Sequence, residues 1–214
     1  MNKQCIEAFS DGVFAVAITL LVLNSKVSGL SASELRSRVL GQWPHLLAYV
    51  LSFVIVGVYW VAHHTLFHFV AKTNRALLWL NNLFLMTVAF LTFPAGLLGE
   101  YPSSQVSIVL YGCTLIAANT SATLTWIYAS RASLLHPGIP TAFRRFAAQL
   151  TFAAVIVYSL AVAISFVNLV IPLLFFAAVP LFFIIPHRLV EGCVAETLRK
   201  ISDHNAERVH ASSE

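Results

Sequence analysis

Asp11 stands inside the stretch FSDGVFAVAITLLVL, residues 9–23, which is otherwise apolar apart from Ser10 and Thr19. A carboxylate at membrane depth is costly unless it is paired or hydrated, so Asp11 marks either a structural pairing or a direct role in ion passage. The segment YWVAHHTLFHF, residues 59–69, gathers His63, His64 and His68. Partners at i and i+4 or i+5 share a helical face and invite a metal reading. Membrane di-iron chemistry needs several such histidine boxes, and the chain has one. Asn81 and Asn82 follow, with amides able to bond across helices where no water competes. The simplest reading is a polar knot in which His63 or His64 and an asparagine satisfy Ser10 and Asp11. Cys5, Cys113 and Cys193 fit neither a metal spacing nor a disulfide framework.

The elements that must position these groups are membrane helices. Of 214 residues, 58% are hydrophobic and 10% charged, with a mean hydropathy of +0.80. Soluble domains carry roughly 25% charged residues, so the composition predicts an integral membrane protein. The net charge of +4 would suggest nucleic acid in a soluble protein. Here the cations fall in loops and the tail, where they orient the chain, and no nucleic-acid partner is expected. Ser10-Asp11 interrupts the first apolar run and no cleavage site follows, so that run is expected to remain as a helix rather than act as a signal peptide.

A bilayer core needs about 20 apolar residues per helix. On that measure the sequence predicts an all-α fold of six spans, at about 6–24, 44–70, 75–99, 104–130, 146–167 and 169–186. Ser31 to Leu40 reads as a short amphipathic helix between the first two spans. A very short turn before Asn74-Arg75 makes spans two and three an antiparallel hairpin. His136-Pro137-Gly138-Ile139-Pro140 is a turn, and Asn168 with Pro172 divides the last apolar run. Gly96, Gly99 and Gly112 are expected to let helices approach closely. Residues 187–214 form a polar tail without a recognisable ligand site. With the N-terminus inside, all but Lys26, Arg36 and Arg38 of the 13 Lys and Arg fall on the cytoplasmic side. Both termini are then cytoplasmic.

In the first span, Val16, Thr19, Leu20 and Leu23 lie at i, i+3, i+4 and i+7, on one face. Were several copies of this helix to meet on an axis, that face would line a narrow, mostly dry hole. Thr19 supplies its one hydroxyl. Such a hydroxyl either bonds back to its own helix or joins a ring of oxygens that replaces part of an ion's hydration shell. Tyr111-Gly112 lacks the TVGYG context of a carbonyl filter, so any cation selectivity must arise another way. Trp60 and Trp79 lie away from the span ends, and packing is their expected role.

AFSDGVFAVAITLLVL (8–23), SFVIVGVYWVAHHTLF (52–67) and LLWLNNLFLMTVAFLTFPAGLLGEY (77–101) resemble the prokaryotic members of the transmembrane protein 175 family of potassium channels. The close match covers the first half of the chain. The resemblance implies a homotetramer of six-helix subunits with the first helix lining a central pore. It implies apolar rings at Val16, Leu20 and Leu23, a threonine layer at Thr19 with K+ passing near it, and no cofactor. Ser10, Asp11, His63, His64, Asn81 and Asn82 would form the buried network that holds the pore helix. Cys5 stands where the family carries an arginine, so either Lys3 replaces it as partner of Asp11 or the network is altered.

The function expected is a weakly discriminating, potassium-selective channel of a bacterial inner membrane, closed by apolar constriction and without enzymatic chemistry. Membrane lipid and other copies of the chain are its expected partners. The alternative is a proton-conducting or proton-coupled transporter that uses Asp11 with His63 and His64. A metalloenzyme built on the histidines, or a purely structural membrane partner, stands further off.

Overall fold

The computed structural model describes residues 3–23 and 41–184. The expected helix over Ser31 to Leu40 and the tail 187–214 lie outside the described residues, as do the ends of the first and last spans. The described chain is all α-helical: α1 (Lys3–Leu23), α2 (Trp43–Phe69), α3 (Arg75–Phe90), α4 (Thr92–Glu100), α5 (Gln105–Arg131), α6 (Thr141–Ile164) and α7 (Ile171–Ile184). Helices α1, α2, α5 and α6, and the pair α3–α4 taken together, are each long and apolar enough to cross a membrane. Helix α7 has 14 residues. At 1.5 Å per residue its described part reaches about 21 Å.

Local chemistry sets the boundaries. Asn74 caps α3, its Oδ1 accepting from Leu77 N–H at 2.9 Å. The expected third span is interrupted at Leu91, whose amide bonds to Val88 O at 3.2 Å. Pro94, one turn beyond Phe90, has no N–H to return to that carbonyl, and its ring crowds it, so the helix restarts as α4. Helix α6 begins at Thr141, directly after Pro140, rather than at 146. Asn168 divides α6 from α7 by accepting from the amides of Val170 and Ile171, at 2.8 and 3.0 Å.

Helix α5 is the interior element, packing against α3, α4, α6 and α7, whereas α1 packs against α2, α3 and α4. Close approach at α5 depends on Gly112. A Cβ there would collide with Val162 Cγ2 and lie 3.1 Å from Phe176 Cζ. Gly99 likewise brings α4 against α2, where a Cβ would sit 3.0 Å from the His45 Cα.

The α2–α3 and α5–α6 connections are zipped together. Val70 and Leu135 form an isolated antiparallel bridge. Ala71 N–H donates to Leu134 O at 2.8 Å and His136 N–H to Phe69 O at 3.0 Å. Gly138 carries φ 104°, a conformation open to glycine and strained for other residues, which fixes the turn that the sequence predicted.

Candidate functional site

Helix α1 has two unlike faces. Ile6, Ser10, Phe14, Ala17 and Leu21 are buried against α2, α3 and α4. The opposite stripe is bare: Val16 is 55% exposed, Leu20 42% and Leu23 66%, with Thr19 exposed between them. The four residues expected on one face are thus together on the open side of the subunit. Phe9 and Gly12 extend the stripe by two turns. The same helical spacing, carried two steps toward the N-terminus, reaches both. Thr19 Oγ1 donates to Val16 O at 2.9 Å. Its hydrogen is spent on the backbone, and the oxygen lone pairs remain for whatever the stripe faces.

Behind this helix runs a short polar chain. Ser10 Oγ donates to Ile6 O at 2.8 Å and accepts from Asn81 Nδ2 at 3.1 Å. Asn81 Oδ1 accepts from His63 Nε2 at 2.8 Å. All three residues are buried, so each bond forms where water does not compete. Aromatic rings enclose the imidazole: Phe67 at 4.5 Å, Phe14 at 5.5 Å and Phe84 stacked at 6.0 Å between centroids. One residue from each of α1, α2 and α3 is therefore locked to the others.

The remaining members of the expected network lie elsewhere. Asp11 is exposed beside the bare stripe, and its Oδ1 accepts from the Trp60 indole N–H at 2.8 Å. This corrects the expectation that Asp11 joins the histidine–asparagine knot and that Trp60 only packs. Asp11 lies one helical position, about 100°, from Ser10, which points it away from Asn81. His64 is exposed with its ring 5.9 Å from that of Trp60, and Asn82 is exposed midway along α3. No sequence signal links Asp11 to Trp60, because their pairing depends on how α1 lies on α2.

Lys3 pairs with Glu7, Nζ to Oε1 at 3.9 Å, a partner one turn along its own helix. Cys5 lines a pocket of about 540 Å³ between the starts of α1 and α3, together with Asn74, Arg75, Trp79 and Asn82. The three histidines diverge: His63 is buried while His64 and His68 are exposed. Among the described residues no three metal-ligating side chains come together.

The family model described as "Endosomal/lysosomal potassium channel TMEM175" matches residues 5–91. A potassium channel of Streptomyces collinus is 39% identical over 170 residues, covering 76% of this chain and 82% of its own length. The human endosomal/lysosomal proton channel TMEM175 is 34% identical over 128 residues, which cover 54% of this chain and 25% of the human protein. The crystal structure of a lysosomal potassium-selective channel TMEM175 homologue from Chamaesiphon minutus superposes with a TM-score of 0.69 at 35% identity, covering 85% of this chain and 95% of that one. On the extent of these matches and the shared helical architecture, the chain belongs to the TMEM175 family of channels.

Proposed function

We propose that the chain is one subunit of a potassium-selective, weakly discriminating cation channel of a bacterial inner membrane, with both termini cytoplasmic. Four copies surround an axis, and α1 of each turns its bare stripe inward. Val16, Leu20 and Leu23 then form apolar rings, and Thr19 places a ring of hydroxyl oxygens among them. An ion crossing the apolar rings is partly dehydrated, which penalises the more strongly hydrated sodium ion more than potassium. Thr19 offers lone pairs at the point where hydration is thinnest. Closure needs no separate lid, because a slightly narrower apolar ring expels water. The permeant K+ is the one ligand this mechanism uses, and it requires neither cofactor nor chemical catalysis.

The observation that carries this reading is the exposure of Val16, Thr19, Leu20 and Leu23 along one side of a helix whose other side is packed. Asp11 adds to it. An exposed carboxylate on a membrane helix is not stable against hydrocarbon, so its flank requires a neighbouring subunit or water. The proton-relay alternative is weaker on geometry. Asp11 stands outside the Ser10–Asn81–His63 chain, so those groups do not form a continuous titrating path through the subunit.

The test is the reversal potential of the purified protein in a planar bilayer with potassium on one side and sodium on the other. Displacement toward the potassium equilibrium potential is the expected result. Absence of current, together with proton-driven uptake in liposomes, would reject the channel.

A further inference from the structure

The pocket between α1 and α3 encloses about 540 Å³, within the roughly 300–1,000 Å³ of small-molecule sites. Cys5, Ile6 and Phe9 form its α1 wall, and Arg75, Trp79 and Asn82 stand on its α3 wall. The last three lie at i, i+4 and i+7, a spacing that puts them on one helical face. That face begins at the first residue of α3, so the pocket sits at the end of a membrane span, where the apolar core meets water.

Two polar groups in the lining are already committed. Asn74 caps α3 and donates to the Tyr128 hydroxyl at 2.9 Å, and Asn81 bonds both Ser10 and His63. Arg75, Trp79 and Asn82 are exposed, and among the described residues none of the three has a hydrogen-bond or ion-pair partner. The guanidinium, the indole N–H and the amide NH2 are all donors, and no carboxylate is among the described residues of the lining. Their complement is an acceptor that carries negative charge. A single guanidinium balances a single charge, and its planar fork matches the two oxygens of a carboxylate. Phe9 on α1 and Trp79 on α3 are 58% and 65% exposed, so both walls offer uncovered ring faces to a flat apolar group.

We propose that this pocket binds a small aromatic carboxylate, with its ring against Phe9 and Trp79, its oxygens on Arg75 and a further donor from Asn82. The bound molecule ties α1 to α3 beside the bare stripe, through groups that the rest of the subunit leaves unused. The proposal rests on the free donors and rings of this pocket and not on which ion the chain conducts.

The test is isothermal titration calorimetry of the full chain, purified in detergent, with 2-naphthoate and with its neutral analogue 2-naphthamide. The expected result is saturable binding of one 2-naphthoate per chain, with 2-naphthamide bound about tenfold or more weakly, the worth of a hydrogen bond between charged groups. Arg75→Gln removes the charge and should erase that preference, whereas Arg75→Lys keeps the charge without the fork and should retain part of it. Trp79→Leu should weaken both probes severalfold alike. Uptake of 2-naphthoate that does not saturate, or an unchanged preference in Arg75→Gln, would overturn the proposal. Dissociation of the oligomer in Arg75→Gln or Trp79→Leu would overturn it too, by making the pocket a seam between subunits. Binding is read without current, so this site and the potassium pathway stand or fall separately.

Discussion

The Trp60 indole N–H donates to Asp11 Oδ1 at 2.8 Å, tying α1 to α2 on the side of α1 next to the bare stripe. The bond joins the carboxylate of α1 to α2 through a neutral donor, and among the described residues it is the hydrogen bond seen for that carboxylate. Trp60→Phe keeps the ring and removes the donor, stranding the carboxylate. It should shift the assembled protein toward monomer on size-exclusion chromatography. Asp11→Asn retains an oxygen for Trp60 and should impair assembly less, with the potassium-to-sodium preference unchanged. A Trp60→Phe oligomer as stable as the parent would make the bond dispensable.

Shortening the stripe should widen the pathway. Val16→Ala or Leu23→Ala is expected to raise single-channel conductance severalfold and to weaken discrimination between potassium and sodium. Thr19→Val, which preserves shape and removes the hydroxyl, should lower selectivity with little change in conductance. Bilayer recordings that match the parent for all three variants would take this face off the ion path.

Asn81 links the two ends of the buried chain, so its loss leaves the His63 N–H without its acceptor, while the Ser10 hydroxyl keeps its bond to Ile6 O. Asn81→Leu should destabilise the subunit by about 1–3 kcal/mol, the usual cost of a buried polar group left unsatisfied. Thermal unfolding in detergent would measure it. Asn82→Leu, at an exposed site outside the chain, should change stability little.

Gly112 is where α5, α6 and α7 converge. Gly112→Ala drives a methyl group into Val162 Cγ2 and against Phe176, and should cost about 1–3 kcal/mol as overpacking. Val162→Ala in the same chain should recover part of that loss. Equal melting temperatures for the single and double variants would argue against the contact as its source.

His136, in the connection between α5 and α6, has its pKa lowered from 6.5 by burial, with Lys3 and His68 nearby adding to the effect. The folded protein therefore binds fewer protons at this ring than the unfolded chain does. The resulting stability is present above about pH 6.5 and declines as the pH falls from there through the lower folded value. Melting temperature should fall with acidification over that window, and His136→Gln should flatten the dependence. A slope unaffected by the substitution would assign it to other groups.

How far the sequence reached can be judged residue by residue. The chemistry of single helices was open to it. Apolar length marked the spans, helical spacing placed Val16, Thr19, Leu20 and Leu23 on one face, and Asn74, Gly138 and Asn168 announced their caps and turns. These depend on a residue's own neighbours in the chain. The interruption at Leu91 was also within reach through Pro94, yet hydropathy ran across it, because proline breaks a hydrogen bond without breaking an apolar run.

What the sequence determined by itself is that α1 is a membrane helix with one stripe apolar but for a single hydroxyl, standing near a polar cluster of Ser10, Asp11, His63, His64, Asn81 and Asn82. The tertiary structure alone decided how that cluster divides. The packing of α1 against α2, α3 and α4 turns Ser10 toward Asn81 and His63, and leaves Asp11, a further 100° around the helix, to meet Trp60. Helical periodicity gives the angle between two side chains on one helix but not the rotation of that helix against its neighbours. That rotation is set by close packing of Phe14, Phe67 and Phe84 around His63, contacts between residues far apart in the chain.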